Sequence, residues 1–216
     1  MIKVDLHTHS IASPDGGIKP EEYADIFERG LLDYVAITDH DTIETAESLH
    51  KSLGSHIIVG EEITTSQGEL IGLFLKEVIK PGMTALATAR AITAQGGLVY
   101  VPHPFETMRK GIQRNDLEEI AGEVDIIEIH NARALLQNRG PAAHTWARLF
   151  NKAAAASSDA HGRKGLGTSF SMIHQKPTAK NLLAQLQKAH YAVDRPPYYS
   201  LLYPKYHRLR KKLGAK

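Results

Sequence analysis

Residues 4–10 read VDLHTHS, a short apolar strand whose polar end carries His7 and His9, with Asp5 just before them. Side chains at i and i+2 of a strand point to the same face, so the two imidazoles can enter one cavity. The pattern recurs along the chain. YVAIT (34–38) leads to Asp39 and His40, IIVG (57–60) to Glu61 and Glu62, and LVYVP (98–102) to His103. VDIIEIHN (124–131) carries Glu128 and His130, and AAAASS (153–158) leads to Asp159 and His161. Apolar runs of this kind suit strands buried on both faces.

Helical segments separate the runs. PEEYADIFERG (20–30) begins with proline and closes on glycine, and TIETAESLHKSLG (42–54) has Thr42 as its N-cap. TALATARAITAQGG (84–97) ends on a glycine pair, and further helices are predicted near 115–122, over 139–152 and over 178–190. GELIGLFL (68–75) is a strand joined to the one before it by a turn at 66–68. The alternation predicts a parallel α/β architecture. Roughly seven strand–helix units fit the length, which points to a barrel somewhat smaller than the eight-fold one. An open doubly wound sheet is the alternative.

The 216 residues suffice for one domain with a full core, and 42% hydrophobic with 23% charged residues is ordinary for a soluble globular protein. There is no apolar run of membrane-spanning length, and the N-terminus runs straight into a strand, which is read as no signal peptide. Cysteine is absent, which excludes disulfides and thiolate metal sites, and cytoplasmic residence is the expectation. The net charge of +2 conceals an asymmetry. Residues 205–216, KYHRLRKKLGAK, hold six of the 26 basic residues and no acid, so the body carries −4. Such a tail is read first as solvated and frayed, with contact to phosphate backbones as the alternative.

A hydrophobic core has no use for a ring of imidazoles and carboxylates at strand ends, where buried polar groups cost several kcal/mol unless satisfied. A bound cation would satisfy them together. Six of the twelve histidines fall at predicted strand ends; His50, His56, His144, His174, His190 and His207 do not and are expected to be exposed or packing residues.

DLHTHS, SPDG, ITDHDT, GEEIT, HPF and SDAH, in this order, resemble the polymerase and histidinol phosphatase (PHP) family over residues 2 to about 170. The resemblance implies a distorted seven-stranded (β/α) barrel of TIM-like form, a phosphoesterase domain over 1–204 followed by the basic tail over 205–216, and two or three divalent metal ions. By motif, His7, His9, Glu62 and Asp159 hold the first ion. Glu62 bridges to a second, which His103 also binds, and Asp15, His40 and His161 hold a third. Glu61 is then a neighbouring salt-bridge partner. Many relatives carry a histidine on the strand after the bridging glutamate; GELIGLFL has none, and His130 is the candidate replacement.

Imidazole and carboxylate ligands suit zinc, manganese or iron. The expected activity is hydrolysis of a phosphoester in a small phosphorylated metabolite or nucleotide by a metal-bound hydroxide. Asp39, His40 or His161 would help to protonate the leaving oxygen, and Arg109 and Arg133 would bind phosphate. A 5'–3' exonuclease on short single strands held by the tail, an amidohydrolase acting on a C–N bond, and a catalytically decayed regulatory barrel are the competing readings. The oligomeric state is not specified by the sequence.

Overall fold

Nine strands form one sheet in the computed structural model, which describes residues 1–135 and 137–214. The strands are β1 (Ile2–Asp5), β2 (Tyr34–Ile37), β3 (Ile57–Thr65), β4 (Gly68–Leu73), β5 (Leu98–Val101), β6 (Ile126–Asn131), β7 (Ala153–Ser157), β8 (Ser169–Ile173) and β9 (His190–Val193). Seven helices connect or follow them: α1 (Pro20–Glu28), α2 (Glu44–Leu53), α3 (Ala85–Ala94), α4 (Arg114–Glu119), α5 (Gly140–Leu149), α6 (Leu182–Leu186) and α7 (Tyr203–Lys212).

The sheet order is β7-β6-β5-β4-β3-β2-β1-β8-β9. The expected seven strands are all present, and β8 and β9 add two more, so the count is nine. Nor is the sheet purely parallel. β3–β4, β4–β5, β1–β8 and β8–β9 are antiparallel, while β1–β2, β2–β3, β5–β6 and β6–β7 are parallel. The barrel is nearly closed. Across the β7–β8 seam, Ser171 Oγ donates to the Ala156 carbonyl (3.3 Å) and accepts from the Ala156 amide (3.0 Å), so a side chain spans the gap.

Inward aliphatics such as Val4, Leu6, Ile71, Leu73 and Ile126 fill one end of the barrel. Outside it, α3 and α5 lay Ile92 and the fully buried Trp146 against β5 and β6. The other end is polar. Isolated parallel bridges, Thr8 to Ala160 and His40 to Glu62, carry the pairing past the strand ends and fix the loops that follow.

The basic C-terminal segment, expected to be solvated, instead forms α7 and docks across this polar end. Lys211 Nζ donates to the carbonyls of Ile11, Ser13 and Gly16. The His207 ring lies where a Cβ on Gly17 would sit, at 2.1 Å, and the Tyr203 ring lies 2.4 Å from a Cβ placed on Gly162, so only glycine admits the helix this closely. Of the C-terminal tyrosines, Tyr203 packs the segment down; Tyr198, Tyr199 and Tyr206 are exposed. Residues 215–216 lie outside the described residues.

Candidate metal centre

His7 and His9 leave β1 on the same side, as their spacing requires, and their Nε2 atoms lie 3.1 Å apart. Glu62 Oε2 from β3 is 3.4 Å from His7 Nε2 and 3.2 Å from His9 Nε2. Asp159 Oδ1, just beyond β7, is 3.6 and 3.5 Å from the same two atoms. These four donors thus define five edges of 3.1–3.6 Å. Ligands at 2.0–2.2 Å around a tetrahedral ion are separated by about 3.4 Å. His7, His9 and Asp159 are close enough to share one divalent cation, with Glu62 beside both imidazoles.

The donors continue on both sides. His103 Nε2 lies 3.1 Å from Glu62 Oε1, so each oxygen of Glu62 serves a different group, and His7, Glu62 and His103 form a second set. Asp15 Oδ1 faces His40 Nε2 at 3.7 Å and Asp15 Oδ2 faces His161 Nε2 at 3.4 Å; with His9 they make a third. Eight of the nine expected metal ligands are therefore together. Asp159 and His103 both have left-handed backbone (φ 51° and 28°), a strain of the kind that clusters at functional sites.

His130 is the ninth, and it joins none of the three sets among the described residues. A bulge in β6 explains this. Glu128 pairs with Ala155 and His130 with the very next residue, Ala156, so the extra residue reverses the alternation and turns His130 to the other face. Asn131 takes the inward position. Its Nδ2 donates to Glu128 Oε2 at 2.9 Å and to Asp159 Oδ2 at 3.2 Å. Glu69, on the strand that lacks a histidine, lies at the edge of the centre, though it too joins none of the three sets among the described residues. Glu69 Oε2 is 4.0 Å from His103 Nε2 and Oε1 is 3.9 Å from His40 Nδ1. Burial, reinforced by the charge of Glu62, raises its pKa to about 7.

Glu128 braces the centre from beneath. Its Oε1 is 3.0 Å from His7 Nδ1 and accepts from Tyr100 Oη at 2.8 Å; its Oε2 accepts from the His103 amide at 2.6 Å. A carboxylate on the far nitrogen of an imidazole fixes the tautomer and orients the other nitrogen. Of the expected proton carriers, Asp39 is set apart. Both its oxygens accept from Ser10, from the amide at 2.6 Å and from Oγ at 2.5 Å, which fixes the loop carrying Asp15. Burial lowers the His161 pKa to about 3, with Arg133 adding to the effect, so its ring is neutral. For His9 burial acts downwards too, but Asp159 and Glu62 outweigh it and raise the pKa to about 9. Glu61 does not face the centre; its Oε2 accepts from the Ile79 amide at 2.8 Å.

The donors open into a cavity of about 370 Å³ that Arg109, Arg133, Lys205 and Arg208 also line. Arg109 is committed within the protein. Nε and Nη2 donate to Glu106 (2.8 and 2.7 Å), and Nη1 donates to Asn131 Oδ1 (2.7 Å) and Asp159 Oδ2 (2.6 Å). Arg133 holds the other oxygen of Asp159 through Nη1 at 3.2 Å. Glu69, Glu106, Asn131 and Arg208 were not singled out from sequence. A lone acid in the apolar GELIGLFL strand was the one available signal, for Glu69.

Residues 141–191 match the PHP-associated family model. The uncharacterized protein MJ1587 of Methanocaldococcus jannaschii is 33% identical over 144 residues, covering 61% of this chain and 82% of that protein. A two-domain protein from Bacteroides vulgatus, described as containing a predicted PHP-like metal-dependent phosphoesterase, superposes with a TM-score of 0.73 at 17% identity, over 96% of this chain and 69% of that one. An amidohydrolase from Chromobacterium violaceum, with bound sulfate and no metal, gives 0.58 at 15% identity, over 93% and 96%. The chain thus carries a PHP-associated segment over 141–191 and shares the fold of a PHP-like protein. No helix is long and apolar enough to cross a membrane among the described residues.

Proposed function

We propose that this protein is a metal-dependent phosphoesterase that hydrolyses small phosphorylated molecules. The observation that carries the reading is three donor sets that share residues: His7, His9 and Asp159; His7, Glu62 and His103; and His9, Asp15, His40 and His161. Zinc, manganese or iron all suit these nitrogens and oxygens. Divalent ions held there would supply an activated water and positive charge to set against phosphoryl oxygens.

The protein's own residues do the rest. His7 is oriented by Glu128, and Asp159 is held from both sides by Arg109 and Arg133. Arg133, less fully committed than Arg109, is the better placed to bind a substrate phosphate from the cavity wall. His161, neutral at physiological pH, holds no second proton to give to a leaving oxygen. His40, whose pKa is raised because Glu62 and Asp15 outweigh its burial, is the group suited to hand a proton to the leaving oxygen when it is not itself a ligand. A small substrate is favoured over a strand because α7 crosses the mouth of the cavity and Lys211 spends its charge on main-chain carbonyls.

The test is metal analysis of the purified protein, followed by turnover of p-nitrophenyl phosphate, bis-p-nitrophenyl phosphate, nucleotides, histidinol phosphate and a simple amide with added manganese or zinc. Phosphoester hydrolysis that depends on the metal is expected. Turnover of the amide alone would assign the centre to C–N bonds instead.

A further inference from the structure

Beyond the donors, the cavity has a second charged wall. Helix α7 carries Lys205 and Arg208 over the opening, and both line the cavity shared with Asp15, His40, Glu62 and His161. Lys205 takes no part in holding the helix down, and Arg208 does so only through one ion pair. The grip comes from Lys211 on three carbonyls and from the His207 and Tyr203 rings seated on Gly17 and Gly162. Lys205 has no hydrogen-bond or ion-pair partner among the described residues. Arg208 donates from Nη2 to Asp15 Oδ2 at 2.7 Å, while its side chain remains 59% exposed. Lys205, unpaired among the described residues, and Arg208, shared with Asp15, add positive charge to a cavity that already provides Arg133 and the cation-binding donors for one phosphate.

We propose that Lys205 and Arg208 form a subsite for a second anionic group, a phosphate or a carboxylate, on the substrate. The subsite rests on the phosphoesterase reading only in taking the first phosphate to lie at the donor cluster. The preferred substrate is then a small molecule with two anionic ends, one at the donor cluster and one beneath α7. A guanidinium and an ammonium side by side match the doubled charge of a phosphate or the planar pair of oxygens of a carboxylate. Because α7 closes the mouth, the distance between the two anions is bounded by the cavity, which favours compact molecules over polymers.

The experiment uses non-hydrolysable phosphonates, so that it reads binding and not turnover. Calorimetric titrations of the manganese-loaded protein compare ethylphosphonate, 3-phosphonopropionate and propane-1,3-diphosphonate. The two dianionic-ended ligands are expected to bind about tenfold more tightly than ethylphosphonate, since one good charge-assisted contact is worth about that factor. Whichever of them binds more tightly identifies the second group as carboxylate or phosphate. In Lys205→Gln and Arg208→Gln the ratio of affinities should fall towards one. Equal affinity for all three ligands in the wild type overturns the subsite, and so does a preference that survives both substitutions. Thermal melts and limited proteolysis of the 194–214 segment identify a variant that has merely undocked α7; Lys205→Gln, at an exposed position outside the grip, keeps the test decisive in that event. Failure to hydrolyse any phosphoester, with the binding preference intact, would remove the reaction and leave the subsite.

Discussion

The cavity has a floor and a roof built on different principles. The floor consists of strand ends: His7, His9, Glu62 and Asp159 are buried, and nearly every donor atom faces a partner. The roof is one helix whose cavity-facing side chains, Lys205 and Arg208, are exposed. Burial makes the floor unforgiving, because removing one partner leaves others uncompensated in a low-dielectric setting. Exposure makes the roof tolerant, since contacts there compete with water. Buried donors and exposed cations are thereby kept apart within a single pocket.

Substitutions on the floor should break this contrast most severely. Asp159→Ala or His9→Ala is expected to reduce hydrolysis by about a thousandfold or more, with an unchanged circular dichroism spectrum and less bound metal per chain. Retained activity in either variant would remove these residues from the ligand set. One layer beneath, Glu128→Gln keeps the shape but weakens the orientation of His7. A loss of about 10–100-fold in metal affinity is expected from competition with a fluorescent chelator.

The contrast extends to pH. In the metal-free protein His9 keeps its proton up to about pH 9, whereas a metal ligand must be neutral. Cation affinity should therefore rise with pH between 7 and 9, by about tenfold per unit for one displaced proton, and level off above. Calorimetry in buffers of different ionisation enthalpy would record the proton release; an affinity flat across that range would show that His9 enters the site already neutral. The smallest effect is expected at the roof. Gly162→Val should overpack the seat of Tyr203 and weaken docking of α7 by about 1–3 kcal/mol, read as faster proteolysis near the C-terminus while the barrel's melting temperature holds.

Floor and roof also differ in how far the sequence exposed them. The HxH, DH and DxH pairs sit at strand ends and obey the two-residue alternation, so their convergence was legible from spacing. Where the alternation fails, so did the reading. The bulge between Glu128 and His130 exchanges the inward face from His130 to Asn131, and no local signal marks it. Glu69 was hidden for the opposite reason: the expectation was a histidine, and an acid stands on that strand. Strands β8 and β9, SFSMI and HYAV, are short and flanked by polar residues, and their place is set by pairing with β1 and with each other. The docking of α7 depends on glycines at 17 and 162, far from it in sequence, so composition alone presented residues 205–214 as a loose tail.

Lys211 fastens the end of the chain to its beginning through backbone oxygens, the one part of a protein that mutation does not replace. Ile11, exposed, can therefore change identity without releasing the clasp, and so can the outward positions of the helix it anchors, whereas Gly16, where a Cβ would meet the Ser10 carbonyl at 2.1 Å, cannot. A lineage bearing this arrangement is free to alter what it admits while the donor cluster beneath stays as it was.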